Sequence, residues 1–243
     1  VSDETVRRLR ALIRARELMP GERLGVERAL AESLGVSRAD LRSALERMEA
    51  DHEIRRTIGR GGGVFVSDGR LERNINTVES LPAIARRQGR VLRSRVLRAV
   101  IAPASPSDIR LLELDGPHPM VYDITRLRLI EGTPLSLEIS RLPAALFPGL
   151  LTLDLTEPFY TLFERDYGVR PACVDETLET VLADPDQAAS LGVRDSDPLV
   201  RIRRVARSGE GTPFERATDV YVASRMRFTM HHSGYVRLSA TQR

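Results

Sequence analysis

Residues 27–49 read Glu-Arg-Ala-Leu-Ala-Glu-Ser-Leu-Gly-Val-Ser-Arg-Ala-Asp-Leu-Arg-Ser-Ala-Leu-Glu-Arg-Met-Glu. Val26 to Leu34 has the composition of a short helix, and Gly35 ends it. Ser37 is a good N-cap for a second helix, and Asp40, three residues on, completes a variant of the capping box. Leu41, Ala44, Leu45 and Met48 follow the i, i+3, i+4, i+7 spacing of a packed face. Arg38 and Arg42, four apart, share another face of the same helix.

The flanks extend this pair in both directions. Upstream, Val6, Leu9, Leu12 and Ile13 give helical spacing from Ser2 to Arg16, and Met19-Pro20-Gly21 stops that helix. Downstream, Ile54–Ile58 and Gly63–Val66 are strand-like runs joined by the turn Gly59-Arg60-Gly61-Gly62. Three helices followed by a glycine-turned hairpin are the layout of a winged helix-turn-helix. The third helix would then enter a major groove by its N-terminal end, where Ser37, Arg38 and Arg42 lie. Either arginine suits a guanine edge or a phosphate. Charge does not make this case. Residues 1–67 hold 13 Arg against 11 Asp and Glu, a surplus of two, and arginines on a helix are usually a solvated face.

Residues 68–78 open on Asp-Gly-Arg-Leu-Glu-Arg-Asn, polar and weakly patterned, and read as a linker. The remainder, 79–243, contains an internal repeat. Pro119-Met-Val121 and Glu131-Gly-Thr-Pro134 recur as Pro198-Leu-Val200 and Glu210-Gly-Thr-Pro213, both 79 residues later. Each copy reads as helix, strand, turn, strand, with the Glu-Gly-Thr-Pro segment as the hairpin turn. Helices are expected over Ser107–Leu112, Pro158–Tyr167 and Asp186–Leu191. The whole is an α+β two-domain chain whose second domain is built on a mostly antiparallel sheet.

Within that sheet, Arg126 and Arg128 fall two apart on one strand and therefore face one side. Glu138, on the partner strand, is placed to supply a carboxylate. By spacing alone this is either a ligand pocket or a strand face with a cross-strand ion pair. Every basic residue is arginine, 37 in all with no lysine, so any phosphate or carboxylate is met by a planar guanidinium or a neutral donor. The single cysteine, Cys173, permits no internal disulfide and fits a reducing cytoplasm. No apolar run is long enough for a membrane helix, and the amphipathic N-terminus has no signal core. His52, His118, His231 and His232 lack the spacing of a zinc set, and the glycines at 59–63 are not followed by a P-loop helix. No metal, cofactor or catalytic residue is expected.

The stretches 18–24, 27–38, 41–49 and Gly-Arg-Gly-Gly-Gly-Val-Phe-Val (59–66) resemble the GntR family of transcription regulators across nearly the whole first domain. The resemblance implies operator DNA contacts by Arg28, Ser37, Arg38, Arg42, Arg60 and Gly61. Three residues depart from the family pattern. Val26 replaces a common serine, Asp40 a common threonine, and His52 a frequent glycine after the third helix. Histidine tolerates left-handed backbone better than most residues.

Residues 79–238 resemble the UTRA domain of the HutC subfamily, carried by Ile-Thr-Arg-Leu-Arg-Leu-Ile-Glu-Gly-Thr-Pro-Leu (124–135), Glu-Ile-Ser-Arg-Leu-Pro (138–143), Phe-Tyr-Thr-Leu-Phe-Glu-Arg-Asp-Tyr-Gly (159–168) and Leu-Gly-Val-Arg-Asp-Ser-Asp-Pro-Leu-Val (191–200). That likeness implies a chorismate-lyase-like fold, a homodimer, and effector contacts by Arg126, Arg128, Glu138, Tyr221 and Ser80. The expected function is a repressor released from its operator by a small, anionic metabolite. Pro158 and Pro82 replace a serine and a threonine common in sugar-phosphate binders, so the sugar-phosphate class does not follow. The alternatives are an enzyme of chorismate-lyase-like fold, disfavoured by the fused DNA-binding layout, and an architectural DNA-binding protein, which would not need the second domain.

Overall fold

The computed structural model describes residues 2–57, 59 and 61–231. The first domain comprises α1 (Ser2–Ala15), β1 (Arg23–Gly25), α2 (Glu27–Leu34), α3 (Arg38–Ala50), β2 (Ile54–Thr57) and β3 (Gly63–Val66). Val6 and Leu9 of α1, Leu30 and Leu34 of α2, and Leu41, Leu45 and Met48 of α3 share one core with Ile54 and Val64. Each fully buried leucine there contributes roughly 2 kcal/mol by leaving water. Asp3 and Glu4 in the first turn of α1 and Arg14 in its last match the helix dipole. The wing is a three-stranded sheet in the order β1-β3-β2; β1, three residues long, was not foreseen. His52 takes φ +57, the left-handed geometry expected of it.

The second domain holds β4 (Leu71–Asn74), α4 (Leu81–Arg87), β5 (Leu92–Pro103), α5 (Pro106–Leu111), β6 (Met120–Ile130), β7 (Thr133–Pro143), α6 (Phe159–Tyr167), β8 (Cys173–Leu182), α7 (Pro185–Leu191), β9 (Pro198–Arg207), β10 (Pro213–Val222) and β11 (Met226–Thr229). Its main sheet runs β5-β6-β7-β10-β9-β8, with every neighbouring pair antiparallel. The repeat read from sequence is therefore structural. The units β5-α5-β6-β7 and β8-α7-β9-β10 join through β7 and β10 at the centre. Ile139 pairs with Thr218 there. Those residues are 79 apart, so a position faces its own counterpart, the mark of an internal two-fold axis. The helix caps repeat at the same offset with different residues. Ser105 and Asp108 form a capping box on α5, as Asp184 and Gln187 do on α7.

The segment read as a linker is partly ordered into the second domain. β4 pairs in parallel with β11, Leu71 opposite Met226 and Asn74 opposite Thr229. Leu71 is buried with Ile84, Tyr221 and Met226. Four residues bearing three polar side chains give too short an alternation to read as a strand. Its partner β11 is 155 residues away, which no local pattern reveals.

Strand alternation divides the main sheet into two faces. Leu127, Leu137, Leu199 and Val220 point to the face that packs Ala188 and Leu191 of α7. Tyr122 and Ile124 point to the other, beneath Phe147, Phe159, Leu162 and Phe163. A second cluster, around Ile84, Ile202 and Tyr221, covers the far end of that same face under α4 and β4. Between these two apolar clusters the sheet carries charged residues instead, and a cavity opens over them.

Candidate functional site

The constellation on α3 expected to face DNA begins with the cap. Ser37 Oγ accepts from the Asp40 backbone N–H at 3.1 Å and donates to Asp40 Oδ2 at 2.7 Å. This fixes where α3 begins. The buried Leu41, Ala44, Leu45 and Met48 then fix its rotation, leaving Arg38, Arg42 and Ser43 exposed. Arg42 Nε lies 3.4 Å from Glu27 Oε2, and Arg28 Nε lies 3.4 Å from Glu32 Oε1 on α2. Exposed pairs of this kind are worth about 0–1 kcal/mol, so either is readily exchanged for a phosphate. Arg38 has no carboxylate partner among the described residues. Gly61, at φ +86, is exposed at the wing turn, while Arg60 lies outside the described residues. Gly62 is required sterically, since a Cβ there would stand 2.5 Å from the Thr57 carbonyl oxygen. Arg23 of β1 braces the turn from below by donating to the Gly62 carbonyl.

The cavity over the sheet has a volume of about 170 Å³. All five effector residues expected from sequence line it: Ser80, Arg126, Arg128, Glu138 and Tyr221. They do not play equal parts. Arg126 is 0 % exposed and spends its guanidinium on the protein. Its Nε donates to Glu138 Oε2 at 2.6 Å, and its Nη1 to the carbonyls of Leu155 and Glu157 at 3.0 and 2.9 Å. Its plane sits 3.2 Å from the Phe159 ring centre. Nη2 lies against Glu138 as an ion pair without hydrogen-bond geometry. Arg128 donates from Nη2 to Glu138 Oε1 at 2.8 Å and from Nη1 to Ser94 Oγ at 2.6 Å, leaving Nε without a partner among the described residues. The Ser80 hydroxyl caps α4 by accepting from Ala83 N–H at 3.4 Å. Tyr221 stacks edge-on against Phe228, ring centres 5.6 Å apart.

Sequence reading missed most of the charged lining. Arg204 of β9 pairs with Asp219 and Glu215 of β10 and reaches Glu138 at 3.4 Å. Glu215 also accepts from the Tyr160 hydroxyl at 2.8 Å and the Ser140 hydroxyl at 3.0 Å. Arg73 enters from β4 and pairs with Glu176 of β8. The available signal was the row of charges on otherwise apolar strands, above all Glu215 and Asp219 on the same side as Tyr221. Four arginines thus meet Glu79, Glu138, Glu176, Glu215 and Asp219, so the cavity is densely charged with one carboxylate in excess. Burial opposes ionisation of Glu138, yet Arg126, Arg128 and Arg204 overcome it and hold that carboxyl far below the usual range. Asp219 faces Glu138 across the β7–β10 register. Burial, offset by Arg204 and reinforced by the Glu138 charge, pushes its carboxyl up to about 6.

Two family models divide the chain between them. Residues 1–66 match the bacterial regulatory proteins of the gntR family, and residues 87–227 match the UTRA domain. This chain belongs to the UTRA-bearing gntR family. Among curated relatives it is 28% identical over 225 residues to the HTH-type transcriptional repressor NagR of Bacillus subtilis, covering 93% of this chain and 91% of that protein. It is 27% identical over 220 residues to the HTH-type transcriptional repressor PhnF of Mycolicibacterium smegmatis, covering 87% and 86%. The crystal structure of PhnF from Mycobacterium smegmatis shares the fold over 97% of this chain and 100% of that one, with a TM-score of 0.67 at 24% identity. As a member of this gntR group, the chain is a DNA-binding, effector-responsive transcription regulator and not an enzyme. Among the described residues no helix is long and apolar enough to cross a membrane.

Proposed function

We propose that this regulator is a homodimeric repressor that leaves its operator when a small anionic metabolite occupies the cavity over the sheet. The winged domain spans 1–67 and the effector-binding domain 79–243, joined by residues 68–78, whose β4 packs into the second domain, and the protein acts in the cytoplasm. The observation that carries the reading is the pairing, in one chain, of an exposed α3 end whose Arg38 has no carboxylate partner among the described residues with a cavity lined by buried guanidiniums. Arg38, Arg42 and Arg28 contact operator DNA with the Ser37 end of α3, and the wing contributes Arg60 and Gly61. Arg128, Tyr221 and Ser80 face the effector, and Arg126 and Glu138 hold the floor beneath it.

The anionic class is supported by the Arg128 Nε, which has no hydrogen-bond partner among the described residues. The dimer is supported by the sheet edge. β5 is an outer strand that exposes Leu97, Val100 and Ile101, and an apolar edge of this kind invites pairing with a second copy. Two recognition helices would then read half-sites roughly 34–36 Å apart. Effector release requires a ligand that prefers one domain arrangement, and tenfold weaker operator binding needs about 1.4 kcal/mol of such preference. The test is Arg38→Ala against a duplex selected by the wild-type protein from a random-sequence pool. Specific binding should weaken by about 1–3 kcal/mol with discrimination relaxed at one base position. An unchanged affinity and unchanged base preference remove Arg38 from the reading surface.

A further inference from the structure

β4 stands between the two domains with one side toward each. It follows the wing strand β3 after residues 67–70 alone. By strand alternation, Arg73 points opposite to Glu72 and Asn74. Arg73 lines the effector cavity. Glu72 and Asn74 line a separate cleft of about 310 Å³ whose other wall is the wing, including Thr57, Gly61 and Gly62. Glu72 approaches the first domain closely, since a Cβ on Gly21 would stand 3.2 Å from its carboxylate. Gln88 pins the backbone between, accepting from Glu72 N–H at 3.1 Å and donating to the Glu72 carbonyl.

Within the cavity Arg73 is unfinished. It is 7 % exposed, its Nη2 is held by Glu176, and its Nη1 has no hydrogen-bond partner among the described residues. A buried charged donor with no acceptor has been desolvated without return, which a ligand oxygen would correct. Glu176, 20 % exposed at the cavity rim, is the acceptor a ligand acid would compete with. We propose that Arg73 binds an acidic group of the effector on its free Nη1 and that β4 passes this occupancy to the wing through Glu72 and Asn74. The proposal rests on reading the cavity as the effector site. It assigns a contact to a strand outside the main sheet, and it gives the coupling a single, short route.

Binding is measured by calorimetry on the full chain with inorganic phosphate and glucose 6-phosphate as acidic probes and glucose as the neutral one. Arg194→Gln, which removes the same charge at a 90 % exposed side chain, serves as control. Glu176→Gln removes the competing carboxylate and should tighten an acidic probe by about tenfold, a gain that misfolding does not produce. Arg73→Gln should weaken it by at least about tenfold, and so should Arg73→Gln/Glu176→Gln, in which no charge is left unpaired. If Arg73→Gln binds as the wild type does while Arg128→Gln fails, the cavity reading stands and the assignment of Arg73 falls. If both bind as the wild type does, or the wild type binds no acidic probe, the anion-site reading falls with it. Glu72→Ala/Asn74→Ala should keep the probe affinity but lose the probe-induced change in affinity for the selected duplex. Full coupling in that variant overturns the route through β4.

Discussion

Arg126→Met tests whether a fully buried charge of the regulator is a structural tether. The substitution keeps an unbranched side chain of comparable length and deletes the guanidinium. Glu138, itself buried, then loses one of its partners, and the carbonyls of Leu155 and Glu157 lose theirs. Removing one side of a buried pair costs about 3–5 kcal/mol. Glu138 keeps Arg128 at 2.8 Å and Arg204 at 3.4 Å, which places the loss at the lower end of that range. The two orphaned carbonyls add about 1 kcal/mol after partial rescue by solvent. The expected destabilisation is about 4 kcal/mol, a large share of the roughly 5–15 kcal/mol that holds a domain folded. In scanning calorimetry this is a drop of roughly 8–16 °C in the transition of the second domain. Arg126→Lys keeps the charge without the planar fork and should fall about halfway between. A variant within about 1 kcal/mol of the wild type refutes the tether.

Gly62→Ala should deform the wing, because the new methyl group would press on the Thr57 and Gly59 carbonyls at 2.5 and 2.9 Å, backbone atoms that cannot swing aside. A loss of about 1–3 kcal/mol in urea unfolding of the first domain is expected, with weaker binding of the selected duplex; equal values for both removes the steric argument. Asp219 makes the cavity pH-sensitive. Its carboxyl is raised to about 6 from an ordinary 3.8, so the folded chain holds this proton more tightly than the unfolded one. Its contribution therefore favours the folded state fully below the ordinary value and is lost as pH rises through about 6. The same proton removes a negative charge from the cavity, so sulfate should bind more tightly at about pH 5 than at about pH 7. Asp219→Asn should abolish that slope, and a flat wild-type profile sinks the assignment. Ser105→Ala should cost about 1 kcal/mol in the second domain by removing the cap of α5, read by thermal unfolding.

Local rules determine much of this protein. The Ser37 cap, the glycine break at 35 and the leucine stripe determine α3 and which side of it faces water, because each signal lies within one or two helical turns. The 79-residue repeat determined the two hairpins and the placement of Arg126, Arg128 and Glu138 on one face of a sheet, since alternation along a strand is a property of the chain itself. Tertiary structure alone decided what those groups do. That Arg126 is spent on carbonyls 29 and 31 residues downstream, and that Arg204 and Asp219 close the same network, depends on how β7 meets β10 and how the 155–157 segment crosses the sheet. The role of β4 was hidden for the same reason. Four residues carry no readable period, and the strand exists only because β11, far along the chain, lies beside it and buries Leu71.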